Sequence, residues 1–208
     1  LNELTPTSFR VRLVRATWVD TERDGKSFTA PAFLIESDER FAKRVGLPVA
    51  EVRRTNVSVL EPDYTNLVSV FQFFVGNTDF SPIAGPPGEN CCHNTQLFGD
   101  PESRLFAVPY DFDMTGMVNA PYAAPNPEFR LKSVQSRLYR GRCANNDRLD
   151  ATAALFIEHR DALYALVDSV DDLGKRARRD MTRFMDRFFG GIDDAGKRES
   201  LLAAKCIN

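Results

Sequence analysis

Residues 64–81 read YTNLVSVFQFFVGNTDFS, and the rest of the chain divides around them. Pro62-Asp63 just ahead is a helix-start signal, and Gly76-Asn77 is a stop. Between them apolar residues fall on nearly every side, which predicts a buried helix. The chain then changes character. A loop with Pro82, Gly85, Pro86, Pro87 and Gly88 follows. RLFAVPY at 104–110 predicts a short strand, and 115–128, with three prolines, a second irregular stretch.

Upstream, 8–20 (SFRVRLVRATWVD) alternates as a strand should. Phe9, Val11, Leu13 and Val19 share one face, and Arg10 and Arg12 the other. Asp24-Gly25 signals a turn, and 28–36 (FTAPAFLIE) returns as a second strand of a β-hairpin. Pro31 marks an edge or a bulge. Short helices are predicted over 38–45 and 49–55. Downstream, Leu149, Leu155, Phe156, Leu163 and Leu166 predict a helix over 148–168. Met181, Phe184, Met185, Phe188 and Phe189 predict another over 172–189, stopped by Gly190-Gly191, and a last helix covers 194–205. Trp18 and the Phe-rich helices are expected in the core. The predicted class is α+β: a hairpin over 1–37, then a mainly helical part over 38–208.

A net charge of -2 gives no reason to expect nucleic acid as a partner. No apolar run reaches about 18 residues, so no membrane span is expected. The four cysteines, Cys91, Cys92, Cys143 and Cys206, lack the paired CxxC spacing of a zinc site. Four cytosolic thiols or two disulfides in an exported protein both fit that count. His93 beside Cys91-Cys92 raises zinc again, but adjacent cysteines rarely both ligate one tetrahedral ion.

Three stretches carry the chemistry: GNTDFS at 76–81, CCHNT at 91–95 and VPYDFD at 108–113. Each sets Asp or Asn beside a structured element in a loop-rich region. Phosphoryl transfer needs one Asp to orient or deprotonate the attacking hydroxyl, and an Asn and a second Asp to hold Mg²⁺ against the phosphates. Helix, Asp, Asn, strand, Asp is the order found here.

On these residues the chain resembles the protein-kinase-like superfamily, especially atypical members such as the spore-coat CotH kinases. The longer series, SFRVRLVRATWVD, LIES, GNTDFS, CCHN, PYDFD and RLYRGRC, also resembles uncharacterised bacterial exported proteins. The resemblance implies a kinase-like fold, in which the hairpin is the remnant of an amino-terminal lobe and the helical part a carboxy-terminal lobe. It implies Asp79 as the catalytic carboxylate, Asn94 and Asp111 as metal ligands, and Asp113 as a further ligand on the same side of an extended chain as Asp111. It places Glu36 and Ser37 at a hinge that binds adenine through its backbone. ATP with Mg²⁺ (or Mn²⁺) is the implied cofactor set, and the acceptor is not named.

The chain departs from the family in several places. Asn94 follows Asp79 by 15 residues, so the Pro/Gly-rich insertion must fold out of the way. The one His-Arg-Asp, His159 to Asp161, lies in a helical stretch after the D-F-D and is a decoy. The phosphate-covering loop, the strand Lys and the helix Glu have no counterpart, so they are expected in a missing upstream segment or a partner chain. Three functions compete: a kinase-like phosphotransferase, a pseudokinase-type binding or scaffolding domain, and a carboxylate-metal phosphohydrolase using Asp111 and Asp113. For the cysteines, a bond between neighbours is uncommon. Cys91 and Cys92 are therefore expected each to reach one of Cys143 and Cys206, in an exported protein of the periplasm or extracellular space.

Overall fold

The structure, a computed structural model, describes residues 1–22 and 25–208; Asp24 of the expected turn lies outside them. It is α+β, with two separate two-stranded antiparallel sheets and six α-helices among the described residues. The elements are β1 (Val11–Val19), β2 (Ser27–Ile35), α1 (Asp38–Val45), α2 (Pro62–Val75), β3 (Thr95–Asp100) and β4 (Arg104–Pro109). Helices α3 (Leu149–Glu158), α4 (Arg160–Asp168), α5 (Lys175–Ile192) and α6 (Ala195–Leu201) complete it.

Helix α2 is the axis, as its composition requires. The Glu61 carboxylate accepts from the Tyr64 amide at 2.6 Å and pairs with Arg104 at 3.2 Å, capping the start. Gly76, at φ 69°, ends the helix by donating to the carbonyls of Gln72 and Phe73. A side chain there would also meet the Phe184 ring at 2.7 Å. Arg137 adds donors at the same end, to the carbonyls of Phe73 at 2.9 Å and Phe74 at 3.0 Å. The Phe74 ring lies 4.9 Å from Phe188 and 5.5 Å from Phe156, which joins α2 to α3 and α5.

Three helical expectations change. Residues 49–55 are extended rather than helical: Val49 bridges Phe98, the Ala50 amide donates to Leu97, and Arg54 bridges Ala84. Bonding to the edge of β3 wins over local helix formation. The stretch 148–168 is two helices that break at His159. Gly190-Gly191 does not stop α5, because the helix continues to bury Ile192 completely. Gly191 there faces the Leu201 side chain so closely that a Cβ would collide with it.

The hairpin forms in the expected place, with Val11 opposite Ile35 and Val19 opposite Ser27. Pro31 sits on an edge with no bulge. Its burial differs from expectation. Val11, Leu13 and Val19 are exposed, and the half-buried positions are Val14, Ala16, Ala30 and Ala32 on the other face. Trp18 is not core: it is exposed and stacks on Phe28 at 5.0 Å. No helix of the described residues is long and apolar enough to cross a membrane.

All four cysteines are oxidised, but the expected pairing is wrong. Cys91 bonds to Cys92, across a cis peptide, and Cys143 bonds to Cys206. The reason for the second bond is a parallel bridge. The Cys143 amide donates to Ile207 at 3.0 Å, and the Ile207 amide to Gly141 at 2.9 Å, which brings the Cys143 and Cys206 Cα atoms to 5.0 Å. Cys91 and Cys92 pack instead beside Ala50, Leu60, Leu97 and Leu105. The Cys143–Cys206 bond closes a 63-residue separation, a gain of about 4 kcal/mol in the chain-entropy account.

Candidate functional site

The loop after α2 is ordered by its own side chains. The Asn77 carbonyl oxygen Oδ1 accepts from the Asp79 amide at 2.8 Å, an Asx turn. Asn77 Nδ2 donates to the Asp111 carbonyl at 3.4 Å, which ties this loop to the end of β4. Arg140 holds the other side. Its guanidinium donates to the carbonyls of Thr78 at 3.2 Å and Phe80 at 2.8 Å, between the rings of Phe80 and Phe129. Burial lowers its pKa, and nearby Glu128 and Asp79 partly offset that.

The 15-residue gap between Asp79 and Asn94 closes through one bridge. Ser81 and His93 exchange two backbone hydrogen bonds, of 3.0 and 3.1 Å, so the Pro/Gly-rich insertion is pinched off at its base. Asn94 is left-handed at φ 53°, a conformation Asn tolerates. Its Nδ2 donates to the Asp79 carbonyl at 2.7 Å and to Asp79 Oδ2 at 3.0 Å. His93 Nε2 lies 2.9 Å from Asp79 Oδ1. Both oxygens of the half-buried Asp79 carboxylate are therefore engaged.

Asp111 enters from β4. The Tyr110 amide donates to the Asn94 carbonyl at 3.3 Å, which sets the two loops side by side. Asp111 Oδ1 accepts from the Asp113 amide at 3.2 Å. The D-F-D is thus a turn, and the expected extended chain with both carboxylates on one side is not what forms. Asp111 is half-buried and Asp113 exposed. Tyr110 has a raised pKa from burial and then from Asp111, Asp38 and Glu89. Tyr122 is raised too, by desolvation and then by Asp113 and Asp111 beside it.

Asp111 and Asp113 open on a cleft of about 500 Å³. Its roof is the exposed hairpin face, Val11, Leu13, Phe33 and Ile35, and its floor is Phe71 with Pro109 to Asp113. Asn77 thus links the Asp79 turn to Asp111, Asn94 bonds to Asp79, and Asp111 and Asp113 line the cleft. Glu36 and Ser37 are elsewhere, on a separate cleft with Arg10, Arg12 and Arg40. The Glu36 amide already donates to the Arg10 carbonyl at 2.9 Å, and its carboxylate holds Arg44 at 2.7 Å. Ser37 caps α1, its carbonyl accepting from Phe41. His159 faces Asn2 to Pro6, not this site.

His93, Asn77 and Arg140 are the site residues that motif order did not pick out. Asn77, two residues ahead of Asp79, carried a legible Asx-turn signal; His93 and Arg140 did not. No protein-family model matches the chain, and neither does any curated protein or solved structure.

Proposed function

We propose that this chain is a kinase-like, metal-dependent phosphotransferase that binds ATP. The observation that carries the reading is the Asp79–His93–Asn94 cluster, tied through Asn77 to Asp111 at a cleft beneath the hairpin. The donor set suits Mg²⁺ (or Mn²⁺): carboxylates of Asp111 and Asp113 and the amide oxygen of Asn94 are hard oxygens. Mg²⁺ is commonly held by one or two carboxylates plus substrate phosphates. The ion would supply charge neutralisation on the transferred phosphoryl group. In this reading Asp79 accepts the proton of the acceptor hydroxyl, and His93 and Asn94 hold its carboxylate in place. Two disulfides fit an oxidising compartment, so the reading includes export.

Titration calorimetry with ATP, with and without Mg²⁺, tests it. Mg²⁺-dependent binding is expected, lost in Asp111→Asn. Asp79→Ala should keep binding and lose roughly 10²–10⁴-fold in phosphoryl transfer. No Mg²⁺-dependent ATP binding by the intact chain sinks the proposal. One observation favours a second reading, a pseudokinase-type binding domain: both Asp79 oxygens are already occupied. ATP binding without turnover, indifferent to Asp79→Ala, selects it.

A further inference from the structure

The hairpin has two outer edges, and they are not equivalent. The Glu36 amide donates to Arg10, and the Asp20 amide to Lys26, so the even-numbered pairs of the ladder carry the inward hydrogen bonds. The odd-numbered residues then point their backbone groups outward. On β2 these include Pro31, opposite Arg15, which has no N–H to offer. Pro31 therefore blunts the β2 edge. On β1 they are Val11, Leu13, Arg15, Thr17 and Val19. None of their amides or carbonyls meets another part of the described chain outward.

The surface around that edge is apolar and basic. Leu13 is 66% exposed and Val19 58%. Residues 9–19 contain Arg10, Arg12 and Arg15 and no acidic residue. Arg15 is taken by Asp172 at 2.8 Å. Arg10, Arg12 and Arg40 line one cleft of about 530 Å³ at the start of β1, beside Leu34. Glu36, the acidic group lining that cleft, is held by Arg44, and Asp38 and Glu39 follow on the first turn of α1.

We propose that the outer edge of β1 receives an extended, acidic strand of another polypeptide. Only a polypeptide supplies donors and acceptors at the repeat of the five outward residues, which specifies the class of occupant. Charge specifies it further. A second copy pairing through its own β1 brings three more arginines, whereas alternating apolar and acidic side chains match both Leu13–Val19 and the arginine cleft. This proposal is independent of the phosphotransferase reading.

The probe is a short synthetic peptide alternating valine and glutamate, with a valine and lysine peptide as its control. Hydrogen exchange of the full chain, read by NMR, should show the outward amides of Leu13, Arg15 and Thr17 gaining protection with the first peptide. Leu13→Pro removes one outward donor and no ladder bond, and should weaken binding by about fivefold or more. Phe33→Pro removes the matching donor on β2 and should leave binding unchanged. If either variant misfolds, the protection pattern of the unaltered chain decides. Protection confined to Thr29, Phe33 and Ile35, equal binding of the lysine peptide, or no binding overturns the proposal. Self-association that protects the β1 amides without peptide, seen by equilibrium sedimentation, overturns it too, since the occupant is then a second copy.

Discussion

The two sheets of this protein are built alike and used differently. Each is a pair of antiparallel strands with apolar residues on both faces. In β3–β4, Leu97, Phe98, Leu105 and Val108 are fully buried, covered by α2, α1 and residues 49–60. In β1–β2, Leu13, Phe28, Phe33 and Leu34 are each more than 60% exposed. An alternating pattern therefore predicts a strand but not what covers it. Isolated two-stranded hairpins are marginal in water, so this one depends on its root at Arg10, Glu36 and Arg44.

The largest expected effect separates the two sheets directly. Phe98 is fully buried, 4.3 Å from the Phe41 ring, so Phe98→Ala should cost about 3–5 kcal/mol in denaturant unfolding. Next, Cys143→Ser should destabilise the helical half by about 2–4 kcal/mol and leave hairpin exchange rates unaltered. Loosening of the hairpin by that change would join what the comparison separates. The hairpin root comes third. Its side-chain hydrogen bond with Arg44 holds the Glu36 carboxyl below its ordinary 4.5. A lowered carboxyl stabilises the folded state above pH 4.5, and that contribution fades as pH falls through the lower folded value. Protection of the hairpin amides relative to those of β3–β4 should therefore fall in acid, and Glu36→Gln should abolish that pH dependence. The smallest effect is Phe33→Ala, expected within about 0.5 kcal/mol of the original chain. A loss of several kcal/mol there would mean that something covers this face in solution.

Local signals were readable where local bonds decide the structure. Pro62 and Gly76 bracket α2, and alternation places both hairpin strands. The reading stopped where distant segments compete. VAEVRRT has no marker that it will lie along β3, and β3 itself, TQLFGD, ends on Gly99-Asp100, which reads as a turn signal. Motif order pointed to Asp79, Asn94 and Asp111; Asn94 bonds to Asp79, and Asn77 ties the Asp79 turn to the Asp111 carbonyl. His93 reaches Asp79 only because Ser81 and His93 bond across the insertion. The cysteine pairing failed for the same reason, since the Arg142–Ile207 bridge joins residues 65 positions apart and leaves no local mark.

That Ser81–His93 bridge separates the length of the insertion from the geometry of the site. Beyond it, the loop narrows again where Gly85 comes so near the Asn90 carbonyl that a Cβ would overlap it. Past this neck a single turn remains, with the Glu89 amide donating to Pro86 at 3.0 Å. The turn is a port for grafting. A peptide tag or a foreign epitope replacing residues 86–89 would leave Asp79 and Asn94 in register, at an entropic cost of only about 0.6 kcal/mol for each doubling of loop length.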